Sequence, residues 1–417
     1  MKTRIVVLGA GTGGTLTANR LRASDRGDQL HITVVDQDTR HVYQPGLLFV
    51  PFGLATADDI VRPRAKQLHH GIDFVQSPID HVDVAAKTVT LVNAETLPYD
   101  VLVVATGATL APDETEGLAD GWGGNVHSFY TLESAEKLAI ALRGFEGGKL
   151  VLNVVDMPIK CPVAPLEFCF LADWFFQDRK IRDHVELTFV TPLDGAFTKP
   201  VASEHFASML ADRNINLVSE FNTGEVDRFD GKLVSYDDRE VPFDLAVVIP
   251  LHSGQDYVGR SDGLGDDLNF VPTNPNTLQS LADPAIFAIG DATALPVSKA
   301  GSVSHFEGDI MVENILRYIA GRELDASYDG HANCFIETGF GKAMLIDFNY
   351  EQEPVPGHFP GRVGLPLMKE SRMNHLGKLM FQWFYWHVLL PGRDVPGITA
   401  TMPTAGKQIP ATPITEE

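Results

Sequence analysis

The three cysteines are the side chains of this sequence best suited to redox or nucleophilic chemistry. Cys161 follows the apolar run 149–155 in a short loop, and α/β sheets commonly place reacting groups in the loop after a strand. Cys334 lies far along the chain, whereas Cys169 falls within the apolar stretch 166–176, which predicts a packed core thiol. No pair has C-x-x-C spacing, so we expect no metal site. The alternative for Cys161 and Cys334 is that both are buried structural thiols.

A glycine-rich turn near the start of the chain is suited to hold the phosphates of a dinucleotide. The apolar run 4–8 leads into the pattern G-x-G-x-x-G, and residues 15–21 are predicted to be helical. Gly9 allows the tight turn, Gly11 lets a pyrophosphate approach the backbone, and Gly14 lets helix and strand pack closely. The helix N-terminus adds free N–H groups for the phosphates. The alternative is a glycine-rich turn in another doubly wound sheet.

An acidic residue completes this motif, and two later segments indicate which dinucleotide is bound. The second apolar run, 31–35, ends on Asp36, whose carboxylate can accept hydrogen bonds from an adenosine ribose. Residues 99–107 form a strand-like run ending in A-T-G, and 285–292 form another that contains G-D. Here the chain resembles the flavoproteins with two dinucleotide-binding domains, in which both segments border FAD. The alternative is two ordinary core strands followed by turns.

This resemblance implies FAD as the cofactor, with the G-D aspartate bonding its ribityl or phosphate part. A lysine close to the flavin pyrimidine would stabilise the reduced anion, and Lys299 is the candidate, its alternative being a solvated loop residue. Beyond the three glycines and Asp36, the candidate cofactor-binding residues are Pro45, Val82, Ala105, Thr106, Gly107, Gly290, Asp291, Lys299 and Gly301.

Length and charge limit the classes of protein that are possible. A chain of 417 residues can form two or three domains with substantial cores. Its net charge of −22 argues against nucleic-acid partners, which require lysine and arginine to neutralise phosphates. We expect no secretory signal, because the apolar run 5–8 is short and is followed by a glycine. No apolar run reaches the roughly 18 residues of a membrane-spanning helix.

The predicted fold class is α/β, with two Rossmann-like dinucleotide-binding domains, the FAD domain being discontinuous, and a small C-terminal membrane-facing module. The predicted boundaries are 1–110 and 275–325 for the FAD domain, 111–274 for a second Rossmann-like domain, and 326–417 for the C-terminal module.

The second Rossmann-like domain lacks a nucleotide fingerprint. A flavoprotein that accepts hydride from NADH normally carries another G-x-G-x-x-G there, but residues 156–165 contain three prolines and a cysteine instead. Prolines remove backbone donors from a turn that would hold a pyrophosphate. This disfavours NADH dehydrogenases, ferredoxin reductases and disulfide reductases, and it leaves Cys161 where a nicotinamide ring would be expected.

The chain resembles the sulfide:quinone oxidoreductase family along nearly its whole length, and the most specific match lies around the cysteines. Residues 161–167 match its C-x-x-A-P-x-E pattern, and Cys334 precedes a glycine-containing turn in the C-terminal module, as the second family cysteine does. The resemblance implies an enzyme that oxidises sulfide to zero-valent sulfur or polysulfide. A redox pair, Cys161 and Cys334, would pass electrons through FAD to a membrane quinone.

The resemblance also assigns residues to the quinone end of this reaction. Glu167, six residues after Cys161, and Lys369, matched by spacing alone, correspond to family residues at the quinone site. Many members have a third cysteine upstream of the first, and residues 125–129 contain none. The form in which sulfur leaves is therefore open, as are the quinone type and the oligomeric state, a homo-oligomer included.

The segment 376–390 is predicted to meet a lipid bilayer surface. It is too short to span, but four consecutive aromatic residues, 383–386, suit a membrane interface. Residues 361–393 carry five cations and one acid, a local charge of +4 that would attract anionic lipid. We therefore expect a peripheral, monotopic protein on the cytoplasmic or inner membrane, on a side the sequence does not fix. The alternative is a core or dimer-interface helix.

Three other functions compete with sulfide oxidation. The first is a type II NADH:quinone oxidoreductase, which the proline-rich turn disfavours. The second is the flavin subunit of a sulfide-oxidising flavocytochrome, an exported protein. The third is a non-catalytic flavin-binding redox sensor, which would bind FAD without responding to sulfide.

Overall fold

The structure is a computed structural model that describes residues 2–393, 395 and 398–409. Its strands are β1 (Thr3–Leu8), β2 (Leu30–Asp36), β3 (Arg40–Val42), β4 (Val61–Pro63), β5 (Ile72–Gln76), β6 (Ile79–Asp83), β7 (Thr88–Leu91), β8 (Thr96–Pro98), β9 (Val101–Val104), β10 (Thr109–Leu110), β11 (Val126–His127), β12 (Gly148–Val154), β13 (Val185–Val190), β14 (Ile215–Val218), β15 (Thr223–Asp227), β16 (Lys232–Ser235), β17 (Glu240–Pro242), β18 (Leu245–Ile249), β19 (His252–Ser253), β20 (Ile286–Ala288), β21 (Ala332–Gly339), β22 (Lys342–Phe348), β23 (Gly357–Phe359) and β24 (Leu365–Leu367). Its α-helices are α1 (Thr12–Ala23), α2 (Ala57–Ile60), α3 (Leu132–Gly144), α4 (Ala164–Asp178), α5 (Pro200–Asp212), α6 (Asp256–Gly259), α7 (Gly301–Ile319) and α8 (Arg372–Phe384), and a π-helical turn, Tyr385–Leu389, continues α8.

The first sheet carries the glycine-rich turn. Its five strands are parallel, in the order β20-β9-β1-β2-β5, and β1 lies at the centre because its apolar residues are buried on both faces. Helix α1 begins at Thr12, directly after Gly11, without a side-chain cap. The N–H groups of its first turn are therefore available to a ligand. Strand β20 pairs with β9, so the chain returns to this sheet after a long excursion.

The second sheet is also parallel, in the order β11-β18-β12-β13-β14. After β12 the chain passes through the proline-containing segment and enters α4, whose first turn contains Pro165. Proline suits this position because the first helical N–H groups have no intrahelical partner. The segment lacks the glycine turn of the first sheet, as the sequence indicates.

The C-terminal part of the chain joins the two cysteine segments. Strands β21 and β22 are antiparallel, and β24 and β23 complete a four-stranded sheet against which α8 packs. Strand β21 also packs against α4. This contact brings the strand that carries Cys334 against the helix that follows Cys161.

The predicted fold class is confirmed in its α/β character and its two parallel sheets of the Rossmann type. The domain boundaries at 110, 274 and 325 stay a prediction, and residues 410–417 of the proposed C-terminal module lie outside the described residues. Within the part of the chain that the structure describes, no helix combines the length and apolar character needed to cross a bilayer.

Candidate active site

One cavity lies where the two parallel sheets and the C-terminal sheet meet, and it gathers most of the predicted site residues. Those that line it are Gly9, Gly11, Asp36, Pro45, Ala105, Thr106, Gly107, Cys161, Glu167, Gly290, Asp291, Lys299, Gly301 and Cys334. Three predicted residues lie elsewhere. Gly14 is buried behind the turn, Val82 is buried in β6 with its N–H bonded to the Ser261 hydroxyl, and Lys369 is exposed on the surface.

The glycine-rich turn has the geometry its sequence predicts. Gly9 has a φ of +93°, and a Cβ there would lie 2.4 Å from the carbonyl oxygen of Ala105. A Cβ on Gly14 would lie 1.9 Å from the Gly9 oxygen, so Gly14 shapes the turn from behind instead of contacting a ligand. A Cβ on Gly11 would meet nothing within 4 Å, because Gly11 faces the open cavity. That open space is where phosphates could approach the N-terminus of α1.

Asp36 is fixed at the cavity wall by three donors. Its carboxylate accepts the Ala10 N–H at 2.7 Å and the Asp38 N–H at 2.9 Å, and it pairs with the Arg64 guanidinium at 3.2 Å. Arg64 was not predicted and also lines the cavity. The oriented carboxylate retains acceptor capacity for a ribose hydroxyl.

The G-D turn on the opposite wall is held by a buried acid. The Gly290 N–H donates to Glu307 at 2.7 Å, and burial raises the pKa of Glu307 to about 7. Burial likewise raises the pKa of Asp291, while Lys299 and Lys160 lower it. The turn therefore presents Asp291 to the cavity in an apolar setting with two cations nearby.

Lys299 is a buried cavity residue, so the solvated-loop alternative is wrong. Its ammonium donates to the backbone oxygens of Thr293 at 2.8 Å and Asp291 at 3.2 Å. Burial lowers the pKa of Lys299, and the charge of Asp291 raises it. Lys160, next to the cysteine, is half-buried on this wall, and desolvation lowers its pKa as well.

Cys161 occupies a constrained position between the two sheets. Its φ is +48°, a left-handed conformation that costs a non-glycine residue energy and often marks functional sites. Its N–H donates to the Lys299 oxygen at 2.7 Å, and its carbonyl accepts the Ala164 N–H at 2.9 Å. Burial, together with the Glu167 charge, raises the pKa of the Cys161 thiol to about 12, and Lys378 opposes this rise.

Cys334 reaches the same cavity from β21. Burial raises the pKa of its thiol well above the ordinary value, and the Cys161 charge raises it further. All three cysteines are free thiols in the structure. Cys169 is packed among apolar side chains of α4, which confirms its prediction as a core residue.

We expect Cys169→Ala to lower the free energy of unfolding by only about 1 kcal/mol, because it removes one buried heavy atom. Flavin content and the response to sulfide should stay unchanged. Denaturant unfolding and flavin absorbance check this, and a variant that no longer responds to sulfide would contradict the structural role.

Glu167 is paired with Lys378, not with Lys369. Glu167 is buried in the first turn of α4, and Lys378 reaches it from α8 with a side chain that is only 8% exposed. The Lys378 ammonium also donates to the Phe335 oxygen at 3.1 Å. Lys369, nine residues before Lys378, is exposed ahead of the helix and does not line the cavity.

Helix α8 divides the predicted lipid-facing segment into two parts. One part is an exposed apolar stripe, here called the outer face of α8, made of Met373, Leu376, Leu379, Met380 and Trp383. The other part points inward: Tyr385 and Trp386 are buried, so assigning those two aromatics to an interface was wrong. Lys378 is also turned inward. The other four cations of residues 361–393 are exposed, namely Arg362, Lys369, Arg372 and Arg393.

Several cavity residues were not predicted. Tyr130 donates its hydroxyl to the Lys160 oxygen at 2.9 Å, and the Tyr385 hydroxyl is 2.8 Å from Thr12 Oγ1. Lys378 had a signal, since it was the one lysine in the apolar segment 376–390, but it was counted as a lipid-facing cation. No pattern in the sequence indicated that Tyr130 and Tyr385 line the cavity, because only the tertiary fold brings them there.

Comparisons with known proteins agree with this architecture. A model of the family described as pyridine nucleotide-disulphide oxidoreductase matches residues 3–153. The mitochondrial sulfide:quinone oxidoreductase of Dictyostelium discoideum is 28% identical over 94% of this chain and 86% of its own. The Mus musculus enzyme is 25% identical over 93% and 86%. The crystal structure of the Aquifex aeolicus sulfide:quinone oxidoreductase has the same fold, with a TM-score of 0.81, 24% identity and coverage of 94% of this chain and 92% of that one.

FAD is the cofactor of this fold, and the residues present fit it. Open space at Gly11, the uncapped start of α1 and the oriented Asp36 carboxylate suit an adenosine diphosphate moiety. Asp291 and the buried Lys299 suit the ribityl chain and the flavin ring. FAD in this cavity would lie beside both Cys161 and Cys334.

Proposed function

We propose that this chain, which belongs with the sulfide:quinone oxidoreductases in sequence and in fold, oxidises sulfide to zero-valent sulfur or polysulfide and reduces a quinone. One observation carries the proposal: a single cavity is lined by the dinucleotide turns, by both candidate cysteines and by the buried Glu167–Lys378 pair. The balanced reaction is hydrosulfide plus one proton plus quinone giving zero-valent sulfur plus quinol. Bound FAD supplies a two-electron carrier between the sulfur and quinone ends.

At the sulfur end, Cys161 and Cys334 form the reacting pair. In their oxidised form hydrosulfide attacks the Cys161–Cys334 disulfide, the S–S bond breaks, and one cysteine becomes a persulfide while the other leaves as a thiolate. Burial opposes that thiolate, since it raises the pKa of both thiols. Lys378 lowers both values and so favours the charged form.

At the quinone end, Glu167 and Lys378 can hold and release protons. A quinone takes up two protons as it is reduced, and acidic groups positioned in the cavity would donate them. Burial raises the pKa of Glu167, and Lys378 lowers it, so the carboxyl can exchange a proton in an apolar site. Phe381, three residues after Lys378 on α8, also lines the cavity and would contact a quinone ring.

The outer face of α8 supports docking on a membrane that holds the quinone. Five large apolar side chains are exposed there on one helical stripe, with Trp383 61% and Met380 69% exposed. Soluble proteins usually bury such a stripe, and an apolar helix face beside cations suits the surface of an anionic bilayer. The same helix carries Lys378 inward, so the proposed quinone end of the cavity would lie close to that surface.

We expect Met380→Glu to lower the fraction of protein bound to anionic vesicles about tenfold, because a carboxylate replaces an apolar contact with the bilayer. The matched control is Ile140→Glu, which places the same charge on an exposed apolar position of α3. Co-sedimentation with vesicles measures both variants. Equal binding by Met380→Glu and the unmodified protein would exclude the outer face of α8 as the docking surface.

Sulfide-dependent reduction of a short-tailed quinone tests the proposed activity directly. One quinol should form for each sulfide consumed, and NADH should not replace sulfide, because the segment after β12 lacks a nucleotide-binding turn. NADH-driven reduction without a sulfide response would instead favour the type II NADH:quinone oxidoreductases. FAD binding with no response to either donor would favour a redox sensor.

A further inference from the structure

A second acid lies behind the Glu167–Lys378 pair. The backbone N–H of Glu337, in β21, donates to Glu167 Oε1 at 2.7 Å. The Glu337 carboxylate accepts from Nδ1 of His375, at 2.9 Å to Oε1 and 3.0 Å to Oε2. Neither residue lines the cavity, so neither is explained by contact with substrate or cofactor.

Of the four side chains, only the outermost, His375, is substantially exposed. Glu167 and Glu337 are each 3% exposed and Lys378 is 8%, whereas the His375 ring is 27% exposed. His375 and Lys378 are three residues apart on α8 and therefore share the helix face that packs on β21. The arrangement is a line of proton-binding groups that begins at the cavity and ends at solvent.

These groups also interact electrostatically. Burial raises the pKa of Glu337, the His375 hydrogen bond and the Lys378 charge lower it, and the Glu167 charge raises it. The charge of Glu167 therefore affects the pKa of Glu337. A purely structural site would be served as well by apolar side chains, because burying a carboxylate is costly.

We propose that His375 and Glu337 conduct protons from solvent to the Glu167–Lys378 pair during quinone reduction. The inference rests on the proposed function. When the Glu167–Lys378 pair donates a proton to a quinone oxygen, the pair must be reprotonated. The Glu337 carboxyl donates the replacement proton, the His375 imidazolium then reprotonates Glu337, and solvent reprotonates His375. The Lys378 charge lowers the pKa of Glu337, but the two side chains share no hydrogen bond among those described. The proton therefore passes between them through a bridging water or by rotation of the Lys378 side chain.

The test separates the two half-reactions of the full-length flavoprotein by rapid mixing. In His375→Ala and in Glu337→Gln, sulfide should bleach the flavin at the unmodified rate, because the cysteines are untouched. Reoxidation of the flavin by a short-tailed quinone should slow about tenfold, at the low end of general acid–base effects. Added imidazole should restore reoxidation in His375→Ala, where the lost ring was solvent-accessible, and not in Glu337→Gln.

The control is His358→Ala, which removes an exposed histidine from β23 of the same sheet and should neither slow reoxidation nor respond to imidazole. Rescue by imidazole distinguishes proton conduction from a structural role, because a displaced helix is not restored by a free base. Reoxidation at the unmodified rate in both variants, or slow reoxidation insensitive to imidazole in His375→Ala, would overturn the proposal. Failure of the unmodified protein to react with sulfide and quinone would instead overturn the proposed function.

Discussion

Replacing Cys161 by serine is expected to abolish the sulfide-driven reduction of the flavin while FAD remains bound. Serine retains the shape of the side chain, so the left-handed loop and its hydrogen bonds to Lys299 and Ala164 are preserved. The hydroxyl cannot form the disulfide that sulfide must attack. We expect the rate to fall by a factor on the order of 10³ or more, as when a covalent catalytic group is removed. Cys334→Ser should have the same effect, because the two sulfur atoms form one bond.

Anaerobic mixing with sulfide measures this loss from the flavin absorbance. Cys169→Ala is the matched control, since it removes a thiol from the same region without touching the cavity. A Cys161→Ser or Cys334→Ser protein that bleached with sulfide at nearly the unmodified rate would exclude the disulfide route.

Lys378→Met is expected to have the second largest effect. It leaves the Glu167 carboxylate buried without its cation, which typically costs about 3–5 kcal/mol of stability. It also removes one proton-holding group from the quinone end of the cavity. Quinone turnover should fall at least about 100-fold, a typical loss for a general acid or base.

A double variant separates the structural part of this effect from the chemical part. Glu167→Gln combined with Lys378→Met leaves no unpaired charge, so the free energy of unfolding should recover most of the loss. Quinone turnover should stay low, because both proton-holding groups are gone. Lys369→Met is the matched control, as it removes an exposed cation from the same module. Recovery of quinone turnover in the double variant would show that the pair is structural only.

Local patterns sufficed for most of the fold and for the cofactor half of the site. The glycines at 9, 11 and 14 act through backbone conformation and close packing, which depend on residue type and spacing within one turn. The prolines after β12 likewise indicate by local chemistry that no second nucleotide turn forms. Apolar runs without alternation are typical of strands buried on both faces of a sheet, as most residues of β1, β9 and β12 are in the two parallel sheets.

The proposed quinone half of the site was harder to predict because it depends on how α8 packs. Lys378 points inward because a buried carboxylate on α4 faces it, and nothing within residues 361–393 indicates that partner. Tyr385 and Trp386 are likewise buried by contacts with Tyr43 and His41, residues more than 300 positions earlier. A count of local charges and aromatics could not separate the inward face of this helix from the outer face.

In the proposed function sulfide, acting through the two cysteines, supplies the electrons that a quinone receives. The most direct test follows the visible absorbance of the bound flavin without oxygen or NADH, first after sulfide and then after quinone. We predict that sulfide bleaches it and that quinone restores it, with one sulfide and one quinone consumed per flavin. The opposite result would exclude sulfide as the electron donor: sulfide leaves the flavin oxidised, whereas NADH bleaches it and quinone restores it.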